Sequence, residues 1–237
     1  MIGKFIVAEG ITGTGKTTQM KMLVERLKSK GINAFFNHEP TDRTPFGRLF
    51  RCMIEGGTCS SEDIRMAERL SHAIALQPLG PIVAKIKVGE LLTEFERQML
   101  CIADRHEDLR GTIAFNLLRG YWCAQDRYSP STFAFAETDP NVSYTELRRI
   151  HDEMLRVVYM IPDILLYLDV DPETGLERSK ASGKPIDIYE TLSKIKKTRA
   201  AYKKLLEDTS LYHELHVIDA RPPINEVFRA ICLKLGI

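Results

Sequence analysis

The sequence has little of what marks several classes of protein. Its 237 residues include five cysteines, an odd number scattered without C-x-x-C spacing, so neither a disulfide framework nor a zinc site is indicated. The net charge is only +1, from 33 basic and 32 acidic residues, which gives no overall reason to bind nucleic acid or an anionic membrane. The longest apolar runs, such as residues 164–170, are too short to cross a bilayer.

What is present fits a globular domain. The apolar fraction of 44% is far too high for a disordered chain, and the length suits one large domain with a substantial core. Residues 1–5 run into a strand-like segment and lack the basic, apolar and small-residue order of a signal peptide. Together with the expectation of reduced thiols, these features predict a protein of the cytoplasm.

Short β-rich runs alternate with longer helical patterns along the chain. The alternation predicts right-handed βαβ crossovers and a parallel sheet with helices on both faces, which is the α/β class. The predicted strands are residues 4–9, 33–38, 121–125, 164–170 and 215–219. The predicted helices are residues 16–30, 94–119, 144–160, 188–207 and 224–235. No repeat or low-complexity linker separates them, so we predict one domain over residues 1–237.

Residues 55–93 depart from this regular alternation. Gly56-Gly57, Gly80-Pro81 and Gly89 punctuate the stretch, and such residues mark turns and breaks in helices. A long irregular stretch inside a compact domain is commonly a functional insertion. The pattern predicts an inserted helical segment or a long loop.

Residues 10–17 fit the pattern G-x-x-x-x-G-K-[ST] of a phosphate-binding loop, or P-loop. The loop lies between a predicted strand and a predicted helix, where its glycines let backbone N–H groups converge on phosphate oxygens. Lys16 can reach the β- and γ-phosphates, and the Thr17 hydroxyl can ligate Mg²⁺. A nucleoside triphosphate is therefore the predicted ligand. The predicted binding residues are Gly10, Thr12, Gly13, Thr14, Gly15, Lys16, Thr17 and Thr18.

Asp126-Arg127-Tyr128 follows the third predicted strand, at the carboxyl edge where open α/β sheets bind ligands. A carboxylate at this place can hold Mg²⁺ or orient an attacking oxygen, and Arg127 can bridge phosphates. Taken alone, the triplet also fits a structural Asp–Arg pair in a turn, so its meaning depends on its neighbours.

Several further motifs occur in a fixed order along the chain. They are Glu9-Gly10, Thr17-Thr18-Gln19, Glu39-Pro40, Thr44-Pro45-Phe46-Gly47, Arg51, Ala103-Asp104-Arg105, Ser131-Thr132, Ala134-Phe135 and residues 162–173. With the P-loop and Asp126-Arg127-Tyr128, their order and spacing resemble the thymidylate kinase family over nearly the whole chain except residues 55–93. The resemblance implies a P-loop NTPase fold, a three-layer sandwich around a five-stranded parallel sheet, here with a helical insertion.

The resemblance also implies an activity. Members transfer the γ-phosphoryl group of ATP to a deoxynucleoside 5′-monophosphate with Mg²⁺, and a homodimer is expected on the same ground. Two other functions stay open: a kinase for another deoxynucleoside or deoxynucleotide, and a nucleotide-binding regulator that has lost phosphoryl transfer. Retention of Lys16, Asp126 and Arg127 argues against the regulator.

The family's pattern implies roles on both sides of the site. On the triphosphate side, Lys16 and Thr17 serve ATP–Mg²⁺, with Thr17 and Asp126 as the implied metal ligands. On the acceptor side, Arg127 acts at the transferring phosphate with Asp126, and Phe135 lines the sugar pocket. The implied substrate-binding residues are Glu39, Arg43, Arg51, Cys101, Arg105, Arg127, Ser131 and Phe135.

Residues 178–189 fall where this family has a lid. The interior of the P-loop, residues 11–14, contains no basic side chain, so the resemblance implies that a catalytic cation comes from the lid. Lys180 and Lys184 are the predicted catalytic cations, and Arg178 is a predicted ATP contact. A solvated basic surface is the alternative for the two lysines.

Four positions depart from the family's usual pattern and bear on specificity. An acid, an arginine, an aromatic that stacks on thymine and a glutamine are replaced, in that order, by Thr12, His38, Cys101 and Ala136. Stacking on a base is worth about 1–3 kcal/mol in single-strand binders, so its loss matters. Either Phe95, Trp122 or an aromatic of residues 55–93 rebuilds the pocket, or the acceptor is a modified or different deoxynucleotide. A clear kinetic preference for dTMP would exclude the second hypothesis.

Overall fold

The computed structural model describes residues 2–183 and 187–237. In this part of the chain, five strands form one sheet in the order β2-β3-β1-β4-β5, and every strand pair is parallel. The predicted α/β class and parallel sheet are therefore confirmed. The strands are β1 (Phe5–Glu9), β2 (Ala34–His38), β3 (Trp122–Asp126), β4 (Ile164–Asp169) and β5 (Glu214–Asp219).

Helices flank the sheet. They are α1 (Lys16–Ser29), α2 (Pro45–Ile54), α3 (Ser61–Leu70), α4 (Gly80–Lys87), α5 (Glu94–Asp108), α6 (Ala114–Leu118), α7 (Ser129–Ala136), α8 (Tyr144–Leu155), α9 (Pro172–Ala181), α10 (Leu192–Leu205) and α11 (Ile224–Leu235). A short π-helical segment, Leu109–Ile113, joins α5 to α6. Across the described residues, no helix is long and apolar enough to span a bilayer.

The register of the central strands brings the functional loops together. All five residues of β1 are buried, as in a strand covered on both faces. Ala8, near the end of β1, lies opposite Asp126 at the end of β3. Because parallel strands end at the same edge of the sheet, the P-loop that follows β1 and the Asp126-Arg127 pair meet there.

Residues 55–93, predicted as an inserted helical segment or loop, contain α3, the 3₁₀ segment Ile74–Leu79 and α4. Helix α3 packs against α2 and α4. Ala67 and Val83 contribute buried side chains to the main core. This stretch therefore extends the core beside α2.

Three short helices were not among the predicted elements, and two predicted helices are too long. Two of them begin at capping residues. The Thr44 hydroxyl accepts a hydrogen bond from the Gly47 amide at the start of α2, and the Asp171 carboxylate accepts one from the Thr174 amide at the start of α9. Helices α2 and α9 have ten residues and α7 has eight. Helices this short contain too few turns for a helical pattern of apolar residues to be recognised in the sequence. The helix predicted over 144–160 ends at Leu155, and the helix predicted over 188–207 runs only from Leu192 to Leu205.

Candidate functional site

A cavity of about 1000 Å³ opens at the carboxyl edge of the sheet. Its walls come from the P-loop, the end of β2, helix α2, the Asp126-Arg127 pair, and residues on both sides of 184–186. The loop after β5 closes one end of it. Lining residues that run from Thr12 to Val227 along the chain thus border one space, large enough for two nucleotide-sized ligands.

The P-loop wraps around its own lysine. The ammonium group of Lys16 donates hydrogen bonds to the carbonyl oxygens of Gly10 at 2.9 Å and Ile11 at 2.7 Å. Gly13 has a φ of 71°, and a Cβ there would lie 2.0 Å from the carbonyl oxygen of Gly175, so only glycine fits. The loop is therefore pressed against α9, with a buried cation at its centre.

Thr17 and Asp126 meet across the sheet edge. The Thr17 hydroxyl donates a hydrogen bond to Asp126 Oδ2 at 2.5 Å. The other carboxylate oxygen, Oδ1, is buried and has no hydrogen-bond partner within residues 2–183 and 187–237. A hydroxyl and a carboxylate oxygen are hard donors of the kind that Mg²⁺ prefers. Since those residues form no cluster of three or more His, Cys, Asp or Glu, an ion held here would complete its shell with phosphate oxygens and water.

Arg127 faces the cavity in an unusual backbone conformation. Its φ is 67°, the left-handed region that non-glycine residues rarely adopt. The guanidinium donates to Gly10 O at 3.2 Å and lies 5.3 Å from the centre of the Phe135 ring. Burial alone would lower the pKa of Arg127, but Tyr202 and the charges of neighbouring acids outweigh it and raise the pKa. The side chain is a fixed cation.

Arg51 lines the cavity from helix α2. Its guanidinium donates to the carbonyl oxygen of Pro40 at 2.7 Å and to Asp42 Oδ1 at 3.1 Å. The side chain of Asp42 is 66% exposed and that of Arg51 is 37% exposed, so the pair is open to solvent and weakly held. An incoming anion can compete for this arginine.

Arg105 and Glu39 form a buried bidentate pair, with N–O distances of 3.0 Å and 2.5 Å. Glu39 lines the cavity, whereas Arg105 is 1% exposed and lies behind it. Burial raises the pKa of Glu39, and the Arg105 charge opposes that shift. In this arrangement Glu39 is the member of the pair that can meet an acceptor directly.

Of the other predicted acceptor residues, some line the cavity and others do not. Phe135 lines the cavity, and its ring lies 4.6 Å from that of Tyr189. Arg43 pairs with Asp108 at 2.8 Å and is not among the residues that border the cavity. Cys101 is also outside that set, and burial raises the pKa of its thiol. Ser131, which the sequence predicts as a substrate contact, instead bonds a buried carboxylate described below.

The predicted lid residues are only partly brought to the cavity. Arg178 lines it and donates to the carbonyl oxygens of Ala220 and Arg221, each at 2.7 Å. Lys180 is exposed and does not border the cavity. Lys184 lies outside the described residues.

Sequence reasoning missed a contact between the P-loop and the lid. The hydroxyls of Thr12 and Ser179 each donate a hydrogen bond to Glu190 Oε1, at 2.5 Å. All three residues line the cavity, so Glu190 supplies a carboxylate beside Thr12. The contact could not be predicted, because it depends on how α9 packs on the P-loop.

A family model described as thymidylate kinase matches residues 8–76 and 77–231. The two segments contain every residue that borders the cavity, and the break between them falls inside residues 55–93. The chain belongs to the thymidylate kinase family, which makes it a kinase that phosphorylates a nucleoside monophosphate.

Proposed function

We propose that the protein transfers the γ-phosphoryl group of ATP to a deoxynucleoside 5′-monophosphate, dTMP or a related or modified deoxynucleotide, with Mg²⁺. The observation that carries this proposal is the single cavity in which the P-loop, the Thr17–Asp126 pair and the guanidinium groups of Arg51 and Arg127 face one another. Phosphoryl transfer depends mainly on positioning and on neutralising charge, which is what such a cavity supplies.

The P-loop side of the cavity fits the triphosphate. The Lys16 ammonium group now rests on carbonyl oxygens of its own loop, and phosphate oxygens are stronger partners for it. At the far end, Arg178 and residues 220–224 form a wall that can cover an adenine base. Thr17 and Asp126 would hold Mg²⁺, which when bound neutralises charge on the phosphates. The unpartnered Asp126 oxygen is the observation that supports this fit.

The other side of the cavity fits the acceptor. Arg51 is placed to take the acceptor's phosphate, and Arg127 lies between that side and the P-loop, where the transferring group would pass. Phe135 and Tyr189 offer a flat wall for the sugar or base. Closure of the lid would exclude water, which otherwise hydrolyses ATP. Lys180 would reach the phosphates only through such a closure, because it is exposed here.

One observation favours an acceptor other than plain dTMP. Strand β3 begins at Trp122 and ends at Asp126. At 3.3 Å per residue the two residues lie about 13 Å apart, so Trp122 cannot replace the missing stacking aromatic at the carboxyl edge. Phe95 does not border the cavity. Neither residue therefore borders the cavity, and residues 55–93 contain no Phe, Tyr or Trp. Phe135 and Tyr189 are aromatic residues that line the cavity together with Arg127.

The test is ADP release over a panel of deoxynucleoside monophosphates and nucleosides, including base-modified ones. The proposal expects turnover with at least one deoxynucleoside monophosphate. A clear preference for dTMP over every other acceptor would exclude the modified-acceptor hypothesis and leave the kinase assignment intact. ATP binding without product from any acceptor would favour the regulator. On the family resemblance we also propose a homodimer in the cytoplasm.

A further inference from the structure

The last residue of β1, Glu9, carries a fully buried carboxylate that the proposed reaction does not use. It is 0% exposed and does not border the cavity, so it cannot touch a substrate. It accepts hydrogen bonds from the Tyr128 amide at 2.8 Å, the Ser131 hydroxyl at 2.7 Å and the Tyr202 hydroxyl at 2.8 Å. A buried acid with this many donors calls for an explanation, because burial of a carboxylate is costly.

The same two hydroxyls also reach Arg127. Its Nη1 donates to Ser131 Oγ at 3.1 Å and to Tyr202 OH at 3.3 Å. The two hydroxyls lie 2.7 Å apart and both contact Glu9 Oε2. One buried carboxylate therefore orients two hydroxyl groups, and the oxygens of both accept hydrogen bonds from Nη1 of Arg127.

Glu9 also accepts hydrogen bonds from backbone amides that follow Arg127 in the chain. Its Oε1 accepts from the amides of Tyr128 and Ser131, which fixes the turn that follows β3. That turn holds Arg127 at a φ of 67°, a conformation that persists only where the surroundings determine it. Backbone and side chain of the arginine are thus both tied to Glu9.

We infer that Glu9, Ser131 and Tyr202 act as a positioning group that holds the Arg127 guanidinium at the phosphates. The inference rests on the proposed function, in which Arg127 acts at the transferring group. Tyr202 is the informative member, because it comes from α10, which begins at Leu192, three residues after the predicted lid of residues 178–189. Its hydroxyl is the link from that helix to Arg127.

Two phenylalanine variants test the inference. Tyr202→Phe removes the hydroxyl and keeps the ring in the core. Tyr167→Phe is the matched control: its ring packs 5.5 Å from that of Tyr202, and its hydroxyl bonds neither Glu9 nor Arg127. We expect Tyr202→Phe to lower kcat about tenfold, since a misplaced catalytic group slows the chemical step. The KM for each nucleotide should stay within twofold, and circular dichroism should show that both variants are folded.

A kcat within twofold of the wild type in Tyr202→Phe overturns the inference, and so does an equal loss in Tyr167→Phe. The ¹⁵N signals of the Arg127 guanidinium, assigned with Arg127→Lys, give a second readout that needs no activity. Resolved Nη signals in the wild type and in Tyr167→Phe, averaged in Tyr202→Phe, support it. Unchanged signals in Tyr202→Phe contradict it. If the wild type phosphorylates no acceptor, the proposed function fails, and the NMR comparison still decides whether Tyr202 holds Arg127.

Discussion

The Thr17 hydroxyl lies 2.5 Å from the Asp126 carboxylate and donates a hydrogen bond to it, which joins the start of α1 to the end of β3. The second oxygen of Asp126 is buried without a partner among the residues described. A buried acceptor without a partner costs about 1–3 kcal/mol, which a bound cation would offset. In the proposed function, Mg²⁺ with the phosphates of a nucleotide would take this oxygen.

The first prediction concerns this carboxylate. Asp126→Asn keeps the size of the side chain and removes its charge, so we expect the Mg²⁺ concentration for half-maximal activity to rise at least tenfold and kcat to fall. A titration of ADP release against Mg²⁺ measures both. Asp139→Asn is the control, because Asp139 bonds Asn141 within its own exposed turn. An unchanged Mg²⁺ requirement in Asp126→Asn would remove Asp126 from the metal site.

The second prediction concerns the buried ammonium group of the P-loop. Lys16→Ala should abolish turnover and leave the fold intact, because the cation at the centre of the loop serves the phosphates. ADP release and a thermal melt followed by circular dichroism measure the two effects. Lys28→Ala, on the exposed side of the same helix, should retain full activity. Near-normal activity in Lys16→Ala would overturn the assignment.

A third prediction follows from the exposed pair between Arg51 and Asp42. Exposed ion pairs are worth about 0.2–1 kcal/mol, so releasing Arg51 from its internal anion should lower the KM for the acceptor by up to about fivefold. Asp42→Asn tests this, with kcat expected to stay the same. Asp63→Asn is the matched control, since Asp63 pairs at 2.6 Å with Arg48, which lies on α2 as Arg51 does. A KM that rises in Asp42→Asn would show that Asp42 helps to bind the acceptor.

The fourth prediction is a pH dependence of stability. His151 is 1% exposed between the rings of Phe133 and Tyr159, and burial lowers its pKa from 6.5 to about 4. The unfolded chain therefore binds the proton more readily. The stabilisation is present above pH 6.5 and is lost as the pH falls towards 4, by about 2 kcal/mol between pH 7.5 and pH 5.

Urea unfolding of wild type and His151→Phe at pH 7.5 and pH 5 measures this contribution. The variant should lose about 2 kcal/mol less than the wild type over that interval, because phenylalanine does not titrate. His213→Asn, at an exposed position, should behave as the wild type does. If His151→Phe and the wild type lose the same free energy, the buried histidine is not the source of the pH dependence.

Local sequence patterns predicted most of the fold and the P-loop side of the site. The P-loop could be predicted because two of its demands are local: Gly13 has a φ of 71°, and Lys16 bonds carbonyl oxygens of the loop itself. The apolar run of β4 is visible for a similar reason, since both of its faces are buried. The edge position of Asp126 follows from the rule that parallel strands end together.

The remaining contacts could not be predicted because packing decides them. Glu9 and Tyr202 are 193 residues apart, and nothing near either residue indicates that they meet. Arg105 was expected at the acceptor, yet its pairing with Glu39 places it behind the cavity wall. Lys180 was expected at the phosphates and is exposed. Side-chain directions of this kind depend on neighbouring elements that a residue pattern does not specify.

The central claim is that the cavity transfers phosphate between two nucleotides. The most direct measurement is incubation with ATP labelled at the γ-phosphate and a mixture of deoxynucleoside monophosphates, followed by chromatography of the products. The account predicts that the label appears in a deoxynucleoside diphosphate with the wild-type protein and not with Lys16→Ala. Label that stays in ATP or appears only as free phosphate, with every acceptor present, would contradict it.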